Sequence, residues 1–557
     1  MCFVTDKSGR WSVDSPENYK KACKSHLEDV EKTIPISCEM HDKAEIDLNS
    51  QGAALLRMLG LNEEEGSQGE RLRRAITAHG VKIAPLYGTR KDHKHVEVGQ
   101  EQIGPKVRPV CGAEDCATKR VSYILCLLTT PLIGMSPTHC PSTIDMLQEI
   151  ERLNQSGKLN RNCMVGSLDV EALYPSLDIT RCAKVVGRKL YESDLKFTNL
   201  NWKEIALYLV FHLTEEELQE EQIRESCPRR RSNRGEGPKF TASGSKLKME
   251  ERYQPWIFPE ERPNPDMIRK MFCIAVRVMI IHVMSLHDFH FDGVIYRQRT
   301  GGSIGLDLTG VVSDIYMEEW DSQLVQKAVL ENVDILLYKR YKDDGNLAID
   351  KTNTMVDGTV ITDIAMMEKM KTIADSIDPN LSVTYDIGAN HEDERMPILD
   401  LKVWIEELSP QRYLMLHTHY TKEVSSKLVI KEKSSHGERM KMNVMINECD
   451  RIMRNCSPHL NWEQEVLPHV SFFVKRLKYC GYSNLFRHNV LVKSIQKYDL
   501  RSKNFQEGKS YYMLENERKK NNANSKHEWY KEGERYESVL FVEATLDSEY
   551  RRKVGLW

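Results

Sequence analysis

The sequence predicts an α+β protein with more than one compact unit, and three observations carry that prediction. At 557 residues the chain is long enough to bury several cores. Strand-like runs gather around a tight corner in DILLYKRYKDDGNLAID, where apolar and aromatic residues flank Asp343, Asp344 and Gly345. Helical patterns are grouped apart from these runs, in IAMMEKMKTIADSI and again from about Ser434 onward.

Composition narrows the class without naming a partner. Apolar residues make up 40% and charged residues 29%, an ordinary globular balance, and a net charge of -3 leaves local charge to speak. The N-terminus, MCFVTDKSGRW, lacks the apolar core of a secretion signal, and no run approaches 18 uncharged apolar residues. The expectation is a soluble intracellular protein, nuclear or cytoplasmic, with no membrane partner. The 14 cysteines are scattered singly, which fits buried thiols in a reducing compartment. Cys111 and Cys116 are the closest pair, and no second Cys or His pair stands at a zinc spacing.

The elements follow in order. The first 80 residues are acidic, and YKKACKSHLEDVEKTI and GAALLRMLGL repeat apolar residues at helical spacing. From Val81, VKIAPLYGTRKDHK and KVRPVCG mix basic residues with short apolar runs, Pro and Gly, as strands and turns do. CATKRVSYILCLLTTPL reads as a buried helix, NCMVGSLDV as a strand ending near Asp169, and DITRCAKVVGRKLYESDL as an amphipathic helix. NWKEIALYLVFHLTEEELQEEQ is helix-like. After it, residues 227–248 carry seven Lys or Arg against one Glu among Gly, Ser and Pro, the composition of a mobile basic loop. GGSIGLDLTGVVSDIYMEEWDSQLVQKAVL opens with a glycine-rich loop and becomes a long helix. RMPILDLKVWI and RYLMLHTHYT form a further strand pair. Residues 471–535 hold 15 Lys or Arg against 7 Asp or Glu, a net of about +8, interleaved with Phe472, Phe473, Tyr479, Tyr482, Phe486, Tyr498, Tyr511 and Tyr512.

The chemistry lies in the carboxylates. Two-metal phosphoryl transfer needs carboxylates at the ends of adjacent strands, bridging ions about 3.5 to 4 Å apart. Mg²⁺ takes oxygen ligands, keeps several waters and leans on one or two carboxylates plus substrate phosphates. Asp169 with Asp343 and Asp344 meets that need if their strands are neighbours. Taken alone, Asp-Asp-Gly favours a plain turn. The order is more telling than any part: a strand ending in Asp, a glycine-rich loop opening a helix, then a Tyr-x-Asp-Asp hairpin.

SLDVEALYPS, IGLDLTG before a long helix, and YKDD resemble motifs A, B and C of reverse transcriptases, in that order. With DKSG, LYGTRKDHK, KVRPV, GLDLTGVVSDIYMEEW, RYKDD and MPILDLKV the chain is similar to the Penelope-like retroelement polymerases, from about residue 4 to about residue 500. The resemblance implies a right-hand polymerase with fingers, a palm of antiparallel sheet with helices on one face, and a mainly helical thumb. It divides the chain into an N-terminal helical accessory region (1–80), fingers (81–166), palm with motif A and following helices (167–226) and a basic flexible insertion (227–264). Palm with the later motifs (265–433), basic helical thumb (434–535) and a C-terminal strand and helix remnant (536–557) complete it. Penelope-like elements often carry a GIY-YIG endonuclease; the expectation here is a copy that lacks one or is truncated.

The resemblance also assigns roles. Asp169 and Asp343 would bind two Mg²⁺ ions, with Mn²⁺ as a substitute, while Asp344 supports them and the backbone at Val170 helps hold the triphosphate-bound ion. Arg108 would lie on the triphosphate through paired hydrogen bonds, assisted by Lys91 or Lys94. Tyr174, five residues after Asp169, would lie under the sugar and crowd a 2′-hydroxyl. Gly305 would let backbone approach template and nucleotide, and Tyr341 would border the nucleotide. Ile304 stands where a Gln is common in the family. Lys402 is a candidate proton donor to pyrophosphate, although a surface lysine on a strand is the commoner reading. Lys475, Arg476, Lys478 and Arg487 would grip nucleic acid, or else solvate a helix face over an ordinary core. The implied partners are an RNA template, a DNA primer and deoxynucleoside triphosphates. The implied reaction is RNA-directed DNA synthesis by a transposable element. Rival readings are an RNA-dependent RNA polymerase and an inactive nucleic-acid-binding derivative.

Overall fold

The computed structural model describes residues 15–29, 32–61, 76, 82–91, 107–114, 116–197, 199–231, 252–356, 359–422 and 429–512, with the strands Cys2–Val4 and Trp11–Val13. Its central sheet has four strands in the order Asp334–Tyr341, Asp344–Asp350, Cys163–Val170, Val383–Ile387, and every neighbouring pair is antiparallel. Alternation along the strands divides their side chains between two cores. Met164, Leu168, Val170, Leu347 and Ile349 face a core shared with the helices Ala117–Thr129, Ile179–Glu192, Pro265–Ser285, Asp307–Leu330 and Asp363–Asp375. Val165, Leu337 and Ala348 face the helix Thr143–Ser156 and a three-stranded sheet of Met396–Ile398, Leu401–Ser409 and Arg412–His419.

Both faces are therefore covered, where the sequence led us to expect helices on one. The cause is local: Leu347, Ala348 and Ile349 are consecutive apolar residues, all fully buried, and such a strand needs cover on both sides.

A second sheet of five strands runs Thr33–Ile36, Val294–Gln298, Asp288–Phe291, Ala84–Arg90, Val107–Cys111, with one parallel pairing between Ala84–Arg90 and Asp288–Phe291. It draws its strands from three stretches of the chain, before residue 80, between 81 and 166, and after 265. Thr33–Ile36 gives the acidic N-terminal region a strand in this sheet, so that region is neither wholly helical nor a separate lobe. The residues read there as one helix divide into Pro16–Lys24, started by Ser15 accepting from the Asn18 N–H, and the strand. Likewise NWKEIALYLVFHLTEEELQEEQ is two helices, Trp202–His212 and Glu215–Glu220, because Thr214 and Glu217 form a reciprocal cap.

The C-terminal helices Glu438–Arg454, Leu467–Tyr479 and Asn484–Gln506 enclose a core of Met445, Cys449, Ile452, Phe473, Leu477 and Val490. This unit returns to the central body. The Tyr511 N–H donates to Glu151 Oε1 at 3.1 Å, and Tyr511 and Tyr512 are buried against the three-stranded sheet. His417 lies at the seam. Its Nδ1 meets the Asn455 carbonyl at 2.8 Å, so Nδ1 carries the proton and Nε2 accepts from the Tyr512 hydroxyl, also at 2.8 Å. Arg501, fully buried, donates to the Tyr512 carbonyl at 2.7 Å and pairs with Asp450 at 2.9 Å. Among the described residues no helix is long and apolar enough to cross a membrane.

Candidate active site

Asp169 is the penultimate residue of Cys163–Val170, and Asp344 is the first of Asp344–Asp350. The antiparallel register sets them directly opposite one another, and such partners point to one face with Cβ atoms about 5 Å apart. Asp343 precedes them at the hairpin corner, where its carbonyl accepts the Val170 N–H at 3.1 Å. Asp169 and Asp343 are exposed and Asp344 is half-buried, so the carboxylates gather at the open end of the sheet.

The corner differs from the expected Lys-Asp-Asp-Gly turn. The loop is Lys342 and Asp343 alone, since Tyr341 already pairs with Asp344. Lys342 takes φ +58°, and a positive φ at the first of two loop residues fits a type II′ hairpin. Gly345 is strand, and its lack of a side chain serves packing: a Cβ there would stand 2.9 Å from the Tyr338 hydroxyl.

Like charges directly opposite destabilise a sheet, and a divalent cation relieves them. Hard oxygens on an open rim fit Mg²⁺, which completes its octahedron with water and substrate phosphates. Among the described residues no three His, Cys, Asp or Glu side chains form a metal cage by themselves.

A buried network that the sequence reading missed braces the corner. Arg340 and Asp321 are both essentially buried and meet at 2.8 Å. Asp321 also accepts from the Tyr338 hydroxyl at 2.8 Å and from Thr138 at 3.0 Å. Arg340 Nη1 donates to the Lys342 carbonyl at 2.7 Å, and Lys342 Nζ reaches Asp314 at 2.5 Å. Burial is the largest single influence on Lys342 and opposes its charge, but the hydrogen bond and charge of Asp314, with Tyr174 and Tyr341, together overcome it and raise the ammonium pKa. Asp314 and Asp321, two of the six charged residues of Asp307–Leu330, stand seven apart on one face of that helix, which is the sequence signal of this arrangement.

Tyr174 lies in the short helix Leu173–Ser176 after the Asp169 strand. Its pKa is raised chiefly by burial, with Lys342 lowering it and Asp314 and Asp343 raising it, which places the phenol among the corner's charges. The glycine-rich loop packs onto the same segment: the Gly302 N–H donates to the Tyr174 carbonyl at 2.7 Å. Gly305, at φ +110°, brings backbone close to the Cys111 carbonyl, where a Cβ would stand at 2.0 Å. The close approach expected there toward template and nucleotide is thus made first to the strand carrying Arg108. The Cys111 N–H donates to the Ile304 carbonyl at 2.8 Å across the same contact.

With this geometry in hand, comparison adds likenesses of shape. No protein-family model matches the sequence, and a search of curated proteins returns no match. Among solved structures the chain is similar to telomerase from Candida albicans in complex with a TWJ fragment of telomeric RNA. That alignment has 10% identity, covers 100% of this chain and 73% of that one, and has a TM-score of 0.49. It is also similar to apo telomerase from Candida Tropicalis, at 10% identity, 89% and 70% coverage and a TM-score of 0.39. A third likeness is to the BmCPV RNA-dependent RNA polymerase at elongation state, at 10% identity, 83% and 32% coverage and a TM-score of 0.32.

The other candidate residues fall in several places. Arg108 lies in Val107–Cys111, opposite Thr89, and Lys91 directly follows the neighbouring strand. Lys94 is outside the described residues, as are 232–251 of the basic insertion and everything from 513 onward, including the 536–557 remnant. Tyr341 ends its strand opposite Asp344 and is 38% exposed. Lys402 is not brought to the carboxylates by any contact. It stands in the three-stranded sheet, ion-paired with Asp393 and 5.7 Å from the Tyr420 ring centroid. Lys475 and Lys478 are exposed on Leu467–Tyr479. Arg476 lies against Phe472 and Phe473, with its pKa lowered by burial, and Arg487 bonds Asn484 on its own helix. Of the aromatic residues expected to meet nucleic acid, Phe473, Tyr482, Tyr511 and Tyr512 are core, while Phe472 and Tyr479 remain exposed.

Proposed function

We propose that this protein is a template-directed nucleotidyltransferase, an RNA-directed DNA polymerase of the Penelope-like retroelement type. It would extend a DNA primer on an RNA template with deoxynucleoside triphosphates. One observation carries the reading: Asp169 and Asp344 are register partners, and the Asp343 carbonyl is tied to the Val170 N–H. The two mid-chain carboxylate segments, 174 residues apart from Asp169 to Asp343, are thereby made one site. Fingers, palm and thumb are the natural assignments for the five-stranded sheet, the central sheet and the C-terminal helices.

Two Mg²⁺ ions, or Mn²⁺ in their place, would be held by Asp169 and Asp343 with support from Asp344, and would supply charge stabilisation for in-line attack on the α-phosphate. The chain's own residues do the positioning. The hairpin corner presents Asp343 from a backbone fixed on two sides. Tyr174, half-buried against the glycine-rich loop, offers a ring where a sugar would rest and favours deoxynucleotides. Arg108, on a strand bonded to that same loop, would meet the triphosphate through its guanidinium. The insertion and the basic C-terminal helices supply charge for phosphates.

Primer extension on RNA and DNA templates, with each nucleotide type, tests the reading. Asp343→Asn should abolish incorporation while leaving duplex binding intact. Undiminished incorporation by that variant with Mg²⁺ would sink the assignment, and a preference for ribonucleotides would turn it toward an RNA polymerase.

A further inference from the structure

We propose that Arg340 and Asp321 are positioning residues, through which the helix Asp307–Leu330 sets where Asp343 stands. The inference rests on the polymerase reading above and goes beyond it to residues that touch neither substrate nor metal.

Lys342 is the strained residue of the corner. A non-glycine residue at φ +58° is in the left-handed region, which L side chains rarely adopt, so its conformation must be imposed by neighbours. Two contacts impose it. The Arg340 guanidinium holds the Lys342 carbonyl at 2.7 Å, and Asp314 holds the Lys342 ammonium at 2.5 Å. Asp314 and Asp321 are seven residues apart on Asp307–Leu330, two turns along one face, so one helix grips the corner by backbone and by side chain.

Arginine is needed at 340 for its planar fork. Nε meets both Asp321 oxygens at 3.0 and 2.8 Å while Nη1 reaches the Lys342 carbonyl and Nη2 the Asp314 carbonyl at 3.4 Å. A lysine ammonium is a point charge and cannot serve these directions together. Asp321 is itself held by Tyr338 and Thr138, so it cannot swing to follow a displaced guanidinium. The hairpin carbonyls are thereby referenced to the long helix rather than to solvent. Asp343 follows Lys342 by one peptide unit, so an error at the Lys342 carbonyl passes directly to the carboxylate that binds metal.

The test separates positioning from mere stability. Arg340→Lys and Asp321→Asn are compared with Leu128→Ala, a truncation in the same helical core distant in sequence from the hairpin. Single-nucleotide incorporation is measured against Mg²⁺ concentration at saturating primer–template and nucleotide. The Arg340 and Asp321 variants should lower kcat about 10-fold or more and raise the half-saturating Mg²⁺ about 5-fold, with primer–template binding within about twofold. Leu128→Ala should lower the thermal midpoint without moving the Mg²⁺ dependence. Arg340 and Asp321 variants whose kcat and Mg²⁺ dependence match those of Leu128→Ala would overturn the proposal. Should Asp321→Asn not fold, Lys342→Ala leaves the buried pair intact and removes only the Asp314 tether. A Mg²⁺ half-saturation raised about threefold supports that tether, and an unchanged one refutes it. If the unaltered protein incorporates nothing with Mg²⁺ or Mn²⁺, the polymerase reading fails on its own. Terbium luminescence titration of the same proteins then decides the positioning claim: weaker binding in the variants upholds it and equal binding overturns it.

Discussion

Replacing Gly305 by alanine tests how the glycine-rich loop is joined to the strand of Arg108. At φ +110° any L side chain is strained, which costs about 1–3 kcal/mol. The added Cβ would also stand 2.0 Å from the Cys111 carbonyl oxygen, against an ordinary contact distance of 3.4 Å or more, so backbone on one side must withdraw by over an ångström. That withdrawal breaks the 2.8 Å bond from the Cys111 N–H to the Ile304 carbonyl, worth about 1 kcal/mol. Together these make a local loss of about 3 kcal/mol. A chain with several cores need not unfold in one step, so the assay is hydrogen exchange at the Cys111 amide, which should speed up roughly 100-fold. Gly310→Ala is the control. It lies in the helix Asp307–Leu330 with nothing within 4 Å of its added Cβ, and should stabilise by about 0.5–1 kcal/mol. Unchanged protection of Cys111 in Gly305→Ala would refute the claim that the loop and the Arg108 strand are locked together there.

Two further outcomes follow from the same contacts. Tyr174→Ala should reduce discrimination between deoxynucleotides and ribonucleotides about 10- to 100-fold, read as the ratio of kcat/KM values, and an unchanged ratio would remove Tyr174 from the sugar site. Acid should loosen the fold between pH 6.5 and 4. Burial lowers the pKa of both His417 and His287 to about 4. Below pH 6.5 the unfolded chain takes up protons that the native protein refuses. Each imidazole therefore contributes about 3 kcal/mol that is present above pH 6.5 and is lost as pH falls to 4. Thermal midpoints measured from pH 7 to 4.5 should fall steeply, and less steeply in His417→Asn; a flat profile would contradict the burial argument.

The sequence made the carboxylate segments legible because their chemistry is local. A strand pattern ending at Asp169 and a hairpin around Asp343 are each written within a dozen residues, and their adjacency needs only antiparallel pairing. What was not legible depends on distant partners. Nothing near Thr33 announces that it pairs with Gln298, so the N-terminal region read as a separate helical lobe. Arg340 and Lys342 looked like ordinary basic residues of a hairpin until Asp321 and Asp314 came to meet them from another element. Lys402 stands on a strand as its alternation suggests, while its pairing with Asp393 is the part that the sequence does not carry. The basic, aromatic stretch after 471 divided by burial: Phe473 and Tyr482 pack inward while Phe472 and Tyr479 face out, a distinction that composition does not contain.

The return of Tyr511 and Tyr512 to the three-stranded sheet has a mechanical consequence. The C-terminal helices leave from the end of Arg412–His419 and come back to that strand through His417, while Ser457 also bonds it at 2.8 Å. A unit hung from a single linker swings like a flap. One fastened at several separated points, Ser457 to His417, Asn455 to Asp400, Glu465 to Arg395 and Tyr511 to Glu151, has no single line about which to turn and spreads any displacement over all of them.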